Sequence, residues 1–450
     1  MTYPLPRPAG PLADILARRR VAIGVDDRQR PLLARPDSLL VGVGTSQRRR
    51  DHLATWVQTW DHDQAEWIAS PPPDEKLRVT TVHLGADQLE VSDATSLAGV
   101  LGTRRRLREA GHHVELNHVL LGAPSVRQML GVPGVHAGDV VLAGQAVSTA
   151  GGPVLRTTAE PSGGSGKLRD PLQLPRRQRR PPKVLVMDSG LRTVDGLGES
   201  VEHPDLESCV VHDPWLNRAT QRQVDDEDET DVDQTGTLDF QAGHGTFIAG
   251  IIRQICPDAE IYTCGVLTSF GEGSVSGVLH ALRRVLTLIG RVDVAVMSFG
   301  GYFTSDDPGF FGSELRRLLG DAVAFGSAGN DGGCRPYFPA ALPDVIGVGG
   351  LAADGRAWFS NYGSWVDACA PAVDVVSTFF NDFTEQVDGE ALRHFDGWAR
   401  WSGTSFAAPK VAALTAKELY LQGGTPREAW QRLTSHGHLR HADLGTVFNV

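Results

Sequence analysis

The residues Ser402, Gly403, Thr404, Ser405, Phe406, Ala407, Ala408, Pro409 and Lys410 set one hydroxyl between a glycine turn and a helix start, the placement a nucleophilic serine needs. A hydroxyl attacks poorly at its free pKa. Ser405 therefore requires a base beside it, a group that orients the base, and donors for the oxyanion that forms. His244, between Gly243 and Gly245 at the head of an apolar small-residue run, has the chemistry of a general base. Asp188 ends the apolar stretch 184–187, where a buried parallel strand opens into a loop, and ligand crevices of doubly wound sheets form at such carboxyl ends. Asn330 follows a second apolar strand, 322–325, and offers a side-chain amide to a developing oxyanion. Taken singly, each residue has a structural reading: Asp188 as a strand-end turn residue, His244 as a satisfied helix-start histidine, Ser405 as an N-cap.

These stretches must be positioned by a regular scaffold, and one is legible. Apolar runs at 184–187, 261–266, 292–297, 322–325 and 345–348 read as buried parallel strands. Residues 275–289 and 310–319 have helical spacing, and a helix is expected from Ser405 to about 421. That alternation predicts a three-layer α/β domain with a mostly parallel sheet.

Asp188, His244, Asn330 and Ser405, in that chain order and in these local contexts, resemble the subtilisin-like serine proteases over roughly residues 183–435. The resemblance implies a hydrolase that cleaves peptide bonds through an acyl-enzyme, with Ser405 as nucleophile, His244 as proton carrier and Asp188 holding the imidazole tautomer. It assigns the oxyanion hole to Asn330 and the Ser405 N–H. The substrate walls fall on Ser298, Phe299, Gly300 and Gly301 and on Ser327, Ala328 and Gly329, where glycines let a substrate backbone lie close. Pro409, inside the helix after Ser405, removes a donor and is expected to leave the Ser405 carbonyl without its helical partner. The chain departs from the family at Phe247, where many members carry a second histidine, and at Phe406, where methionine is common. Two alternatives stay open: a peptide ligase or cyclase that hands the same acyl group to an amine, and a non-catalytic scaffold that keeps the fold for binding.

The chain has 450 residues, which predicts two or three domains. A formal net charge of −11 argues against nucleic acid as a partner, since phosphate binding needs a basic surface. Arg7, Arg18, Arg19 and Arg20 are not followed by the apolar stretch of a secretory leader, and no segment has about eighteen apolar residues. A cytoplasmic protein without membrane contact is expected. Five cysteines, Cys209, Cys256, Cys264, Cys334 and Cys369, read as reduced thiols and not as a zinc site.

Residues 151–182, rich in Gly, Pro, Ser and Arg, read as a linker between an N-terminal region, 1–150, and the catalytic domain, 183–450. In the N-terminal region, 77–84 alternates like a strand, 97–110 suits a helix and 113–121 alternates again, the pattern of a small α/β sandwich. Pro71, Pro72 and Pro73 mark a possible break into two units. Relatives carry an N-terminal prodomain of that general type, so the region is expected either to inhibit the catalytic domain or to recruit its substrate, a dedicated intracellular protein or peptide. The acidic run 225–233 reads as a solvated loop; calcium is the rival, but the run lacks the ligand spacing of an EF-hand, so no cofactor is required and no metal ligands are assigned. Trp398, Trp401, Trp358 and Trp365 are expected to serve packing.

Overall fold

The computed structural model describes residues 20–25, 28, 30–43, 47–57, 65, 69, 79–84, 97–122, 147–148, 180–193, 201–211, 238–239, 241–304, 308–381, 383–385, 393–435 and 439–450. The expected linker, except its last three residues, lies outside them, as do Pro71 to Pro73 and the acidic run 225–233.

The N-terminal elements are β1 (Ala22–Val25), β2 (Pro31–Gly42), α1 (Gln47–Val57), β3 (Val79–His83), α2 (Ala98–Glu109) and β4 (Val114–Leu121), followed by the short β5 (Val147–Ser148). The C-terminal part contributes β6 (Lys183–Asp188), β7 (Val210–Val211), α3 (His244–Ile255), β8 (Glu260–Gly265), β9 (Glu272–Ser274), α4 (Val275–Ile289), β10 (Val294–Met297), α5 (Gly309–Leu319) and β11 (Val323–Ser327). After these come β12 (Val345–Ala352), β13 (Gly355–Arg356), β14 (Ala368–Pro371), β15 (Val375–Thr378), β16 (Phe383–Glu385), β17 (Arg393–Phe395), β18 (Trp398–Trp401), α6 (Thr404–Gln422), α7 (Pro426–Ser435), β19 (Arg440–His441) and β20 (Gly445–Val447).

The main sheet runs β19-β20-β14-β12-β11-β10-β6-β8-β7, with every neighbour from β20 to β7 parallel and β13 hairpinned onto β12. Alternate residues of its central strands feed two cores, because successive side chains leave opposite faces. Val184, Val186, Val294, Val296, Val323 and Phe325 pack with Phe247 and Ile251 of α3 and with Phe406 and Val411 of α6. Leu185, Met187, Ala295, Met297 and Ala324 pack with Val278 and Leu282 of α4 and with Phe311 and Leu315 of α5. This is the three-layer α/β arrangement the sequence predicts, and each of the five expected strands and three expected helices is present within a few residues of its expected ends.

The N-terminal sheet is antiparallel, with β2 between β4 on one side and β1 and β3 on the other, so strands from both sides of Pro71 to Pro73 share one sheet. One face buries Leu39, Val41, Val82 and Leu116 against Leu53 and Val57 of α1 and Val100 and Leu107 of α2. From the other face Leu40, Val79 and Leu120 join the α4–α5 core of the C-terminal part. The two bodies are also tied by polar contacts at helix starts, where unpaired N–H groups want acceptors. Asn117 Oδ1 accepts from the Ser276 N–H at the start of α4, and Glu115 accepts from the Phe310 N–H at the start of α5.

All five cysteines are free thiols, four of them buried and Cys334 exposed. Burial pushes Cys209 and Cys369 up to about 12 and Cys256 up to about 11, so these thiols stay protonated and inert. Among the described residues no helix is long and apolar enough to cross a membrane.

Candidate active site

Asp188 is the last residue of β6, 1% exposed, and its Oδ1 accepts from the Ser189 N–H at 2.8 Å and from His244 Nδ1 at 2.7 Å. His244 opens α3 and is fully buried. Two glycines make its position possible. Gly243, the residue before α3, holds φ +78°, and a Cβ there would lie 2.2 Å from the Phe379 ring. A Cβ on Gly245 would lie 2.1 Å from the Gly190 carbonyl oxygen, so the helix approaches the Asp188 loop as closely as bare backbone allows. The Gly245 N–H donates to Ser189 Oγ across that approach.

The imidazole is held on its other sides by aromatic rings, Trp401 edge-on at 5.3 Å and Phe406 at 5.3 Å. Phe247 and Phe406, the two departures from the family pattern, lie tilted against each other at 4.5 Å in the same cluster. They line the buried back of the histidine and present no polar atom. Trp401, 1% exposed, is packing as expected, whereas Trp358 is 56% exposed and is not.

Ser405 lies in the first turn of α6, 1% exposed, adjacent to Phe406. Its hydroxyl donates to the Ser298 carbonyl at 3.2 Å, and His244 Nε2 has no hydrogen-bond partner among the described residues. Such contacts are often loose without substrate and tighten when it binds. The Ser405 carbonyl, deprived of its helical donor by Pro409, is not left bare: Ser298 Oγ donates to it at 2.8 Å. Asn330 is oriented by Thr404, whose N–H and hydroxyl both donate to Asn330 Oδ1, at 3.0 and 2.9 Å. With the oxygen end committed, the amide nitrogen is the end turned elsewhere, 3.6 Å from where a Cβ on Gly403 would stand.

The expected walls sit at the carboxyl ends of neighbouring parallel strands, 298–301 after β10 and 327–329 at the end of β11. Phe299 is buried in the α4–α5 core, and Ala328 in a satellite cluster with Cys369. The Gly300 edge is already occupied. Leu121 of β4 donates to the Gly300 carbonyl at 2.7 Å and accepts from the Gly300 N–H at 2.9 Å, while the Gly122 N–H donates to the Gly271 carbonyl at 2.8 Å. On its far side β4 pairs with β9, Val119 to Ser274 and Leu121 to Glu272, so an extended segment lies between two edges of the C-terminal part.

Sequence reasoning missed three things here: the second edge at 271–274, the entry of Leu121 and Gly122, and Tyr337, which lies beside Gly300 and Gly329. The pairs Gly271/Gly273 and Gly300/Gly301 were the available signal, since both edges need a backbone approachable from the side. Burial and the nearby Asp331 carboxylate raise the Tyr337 phenol well above the ordinary tyrosine range, so it is a neutral group. Among the described residues no cluster of three or more His, Cys, Asp or Glu side chains is arranged to hold a metal ion.

The model of the subtilase family matches residues 180–441, more than half of the chain. The chain belongs to the subtilase family. This subtilase is 29% identical over 228 residues to the minor extracellular protease Epr of Bacillus subtilis (strain 168), covering 48% of the chain and 32% of that protein. It is 28% identical over 253 residues to an intracellular serine protease of Paenibacillus polymyxa, covering 52% of the chain and 65% of that protein. Among solved structures it matches a cold-adapted subtilisin-like serine proteinase with a TM-score of 0.42 and 26% identity, over 59% of the chain and 85% of that structure. The subtilase spans between 32% and 65% of the length of the curated relatives it matches.

Proposed function

We propose that this chain is a serine endopeptidase in which Ser405 attacks the scissile carbonyl, His244 takes its proton and returns it to the leaving amine, and Asp188 holds the imidazole through its Nδ1–H. Asn330 and the Ser405 N–H donate to the oxyanion, and water then releases the acyl group. The observation that carries this reading is the buried 2.7 Å contact of His244 Nδ1 with Asp188, which leaves Nε2 as the ring nitrogen without a partner, on a helix packed against the one bearing Ser405. A non-catalytic scaffold would not require Asp188, His244, Asn330 and Ser405 together.

The N-terminal region, residues 1–150, is proposed as a guard of this site, joined to the domain 183–450 by the linker 151–182. The support is the pairing of Leu121 and Gly122 with the Gly300 and Gly271 edges, the edges an extended peptide would use. A reduced, intracellular compartment is proposed on the five free thiols, with a protein or peptide of that compartment as substrate.

A fluorophosphonate reporter tests both proposals on the full chain. Ser405 should be labelled and Ser405→Ala should not. Leu121→Asp, which puts a charge where Leu121 is 1% exposed, should drive the segment out and speed labelling at least about tenfold, since a buried unpaired charge costs several kcal/mol. No labelling in either chain would refute the protease reading, and equal rates would refute the guard.

A further inference from the structure

Between the two wall segments, where the carboxyl ends of β10 and β11 diverge, the space is filled by one ring. A Cβ added to Gly300 would stand 2.4 Å from Tyr337 Cε1, and one added to Gly329 would stand 3.0 Å from Tyr337 Cδ1. Tyr337 therefore lies against both walls at once, and is 4% exposed.

The pairing of β4 fixes what this ring would face. Leu121 is the antiparallel partner of Gly300. Antiparallel partners step in opposite directions, so in a peptide lying along the same edge the residue two positions further on comes opposite Ser298. The Ser298 carbonyl is the atom to which the Ser405 hydroxyl donates, at 3.2 Å. That residue carries the carbonyl nearest the nucleophile. Side chains two apart on a strand share a face, so its side chain points the way Leu121 points. Leu121 packs with Tyr302 and Tyr337, while Leu120, one residue earlier, turns into the α4–α5 core.

The ring has no room to retreat. Tyr302 stands edge-on to it at 5.2 Å, and the Tyr302 hydroxyl donates to Asp331 Oδ2 at 2.8 Å and accepts from Asn361 Nδ2 at 3.3 Å. The Arg335 guanidinium lies 4.4 Å from the Tyr302 ring centre and donates to the Phe303 carbonyl at 3.0 Å. The backbone next to Tyr337 is pinned by the reciprocal pair of Phe338 and Gly301, at 3.0 and 2.8 Å.

We propose that Tyr337 closes the crevice between the 298–301 and 327–329 walls and restricts the residue whose carbonyl is attacked to glycine, alanine or serine. The proposal rests on the protease reading above. A larger side chain would have to displace a ring set against Gly300, Gly329 and Tyr302, and a pocket contact of this kind discriminates by roughly a hundredfold.

The test is hydrolysis of one fluorogenic peptide series varied only at that residue (Gly, Ala, Ser, Leu, Phe), by the full chain and by the full chain carrying Leu121→Asp. The expected result is kcat/KM about a hundredfold higher for Ala than for Phe. Adding Tyr337→Ala should bring Leu and Phe to within about tenfold of Ala, whereas Tyr337→Phe, which keeps the ring and loses only the hydroxyl, should leave the preference as it was. A preference for Leu or Phe in the chain with Tyr337 intact overturns the proposal whether or not Tyr337→Ala folds, and so does a preference unmoved by a folded Tyr337→Ala. Failure of Ser405 to react with the fluorophosphonate would instead overturn the protease reading, and this proposal with it.

Discussion

His118 makes acid a lever on the contact between the two bodies. It lies on β4 next to Asn117, 2% exposed, with its ring 4.2 Å from Phe303 of the C-terminal part and its Nδ1 without a partner among the described residues. Burial pushes it down from 6.5 to about 3; a hydrogen bond with the Leu33 backbone opposes this, and the positive charges of Arg104 and Arg335 add to it. The folded chain thus holds the neutral ring while the unfolded chain, with the ordinary value of 6.5, accepts a proton below it. Stability from this group is complete above pH 6.5 and is lost as the pH falls from 6.5 toward 3. The loss is about 1.4 kcal/mol per pH unit, so at pH 5 it amounts to about 2 kcal/mol. His118→Leu removes the titration and keeps an apolar side chain against Phe303. Urea unfolding at pH 7.5 and pH 5.0 should show the wild type losing about 2 kcal/mol more than the variant, because every other titrating group is common to both. Hydrogen exchange of residues 114–122 should accelerate in parallel in the wild type alone. Equal losses in the two chains, to within about 0.5 kcal/mol, would refute the reasoning.

Asn330→Ala should lower turnover by about 10² to 10³ with little change in KM, because it removes one of the two oxyanion donors; unchanged turnover in steady-state kinetics would remove Asn330 from the oxyanion hole. Gly245→Ala puts a Cβ 2.1 Å from the Gly190 carbonyl, and since both partners are backbone the Asp188 loop must shift. It should destabilise by about 1–3 kcal/mol in denaturant and slow fluorophosphonate labelling of Ser405, whereas wild-type stability and labelling would show that the close approach is dispensable.

The scaffold was legible because its central strands are buried on both faces and so read as unbroken apolar runs. Runs such as Val184 to Met187 are apolar without interruption, and the helices Val275–Ile289 and Gly309–Leu319 carry their own periodicity. The strands β14 to β18 were not legible. Ala368–Pro371 is four residues long with no pattern of its own, and pairing with β12 and with the distant β20 makes it a strand; Phe383–Glu385 is three residues long and is a strand only through its pairing with β17. The N-terminal sheet was half legible for the same reason: α2 and β4 have clean patterns, while β1 is held by pairing with β2.

Local sequence determined which residues carry chemistry here, because a serine at a glycine-led helix start, a histidine between glycines and a carboxylate at a strand end are each properties of a few adjacent residues. It also determined that Pro409 would strip the Ser405 carbonyl of its helical donor. Tertiary structure alone decided what replaces that donor, the Ser298 hydroxyl, from a segment 107 residues away. It likewise decided that Leu121 lies on the Gly300 edge, that Tyr337 fills the space between Gly300 and Gly329, and that His118 is buried against Phe303. Each of these is a contact between surfaces that do not exist until the sheets are formed. A side chain's type can be read from the chain, but its neighbours come from packing, which depends on every residue that shares the volume.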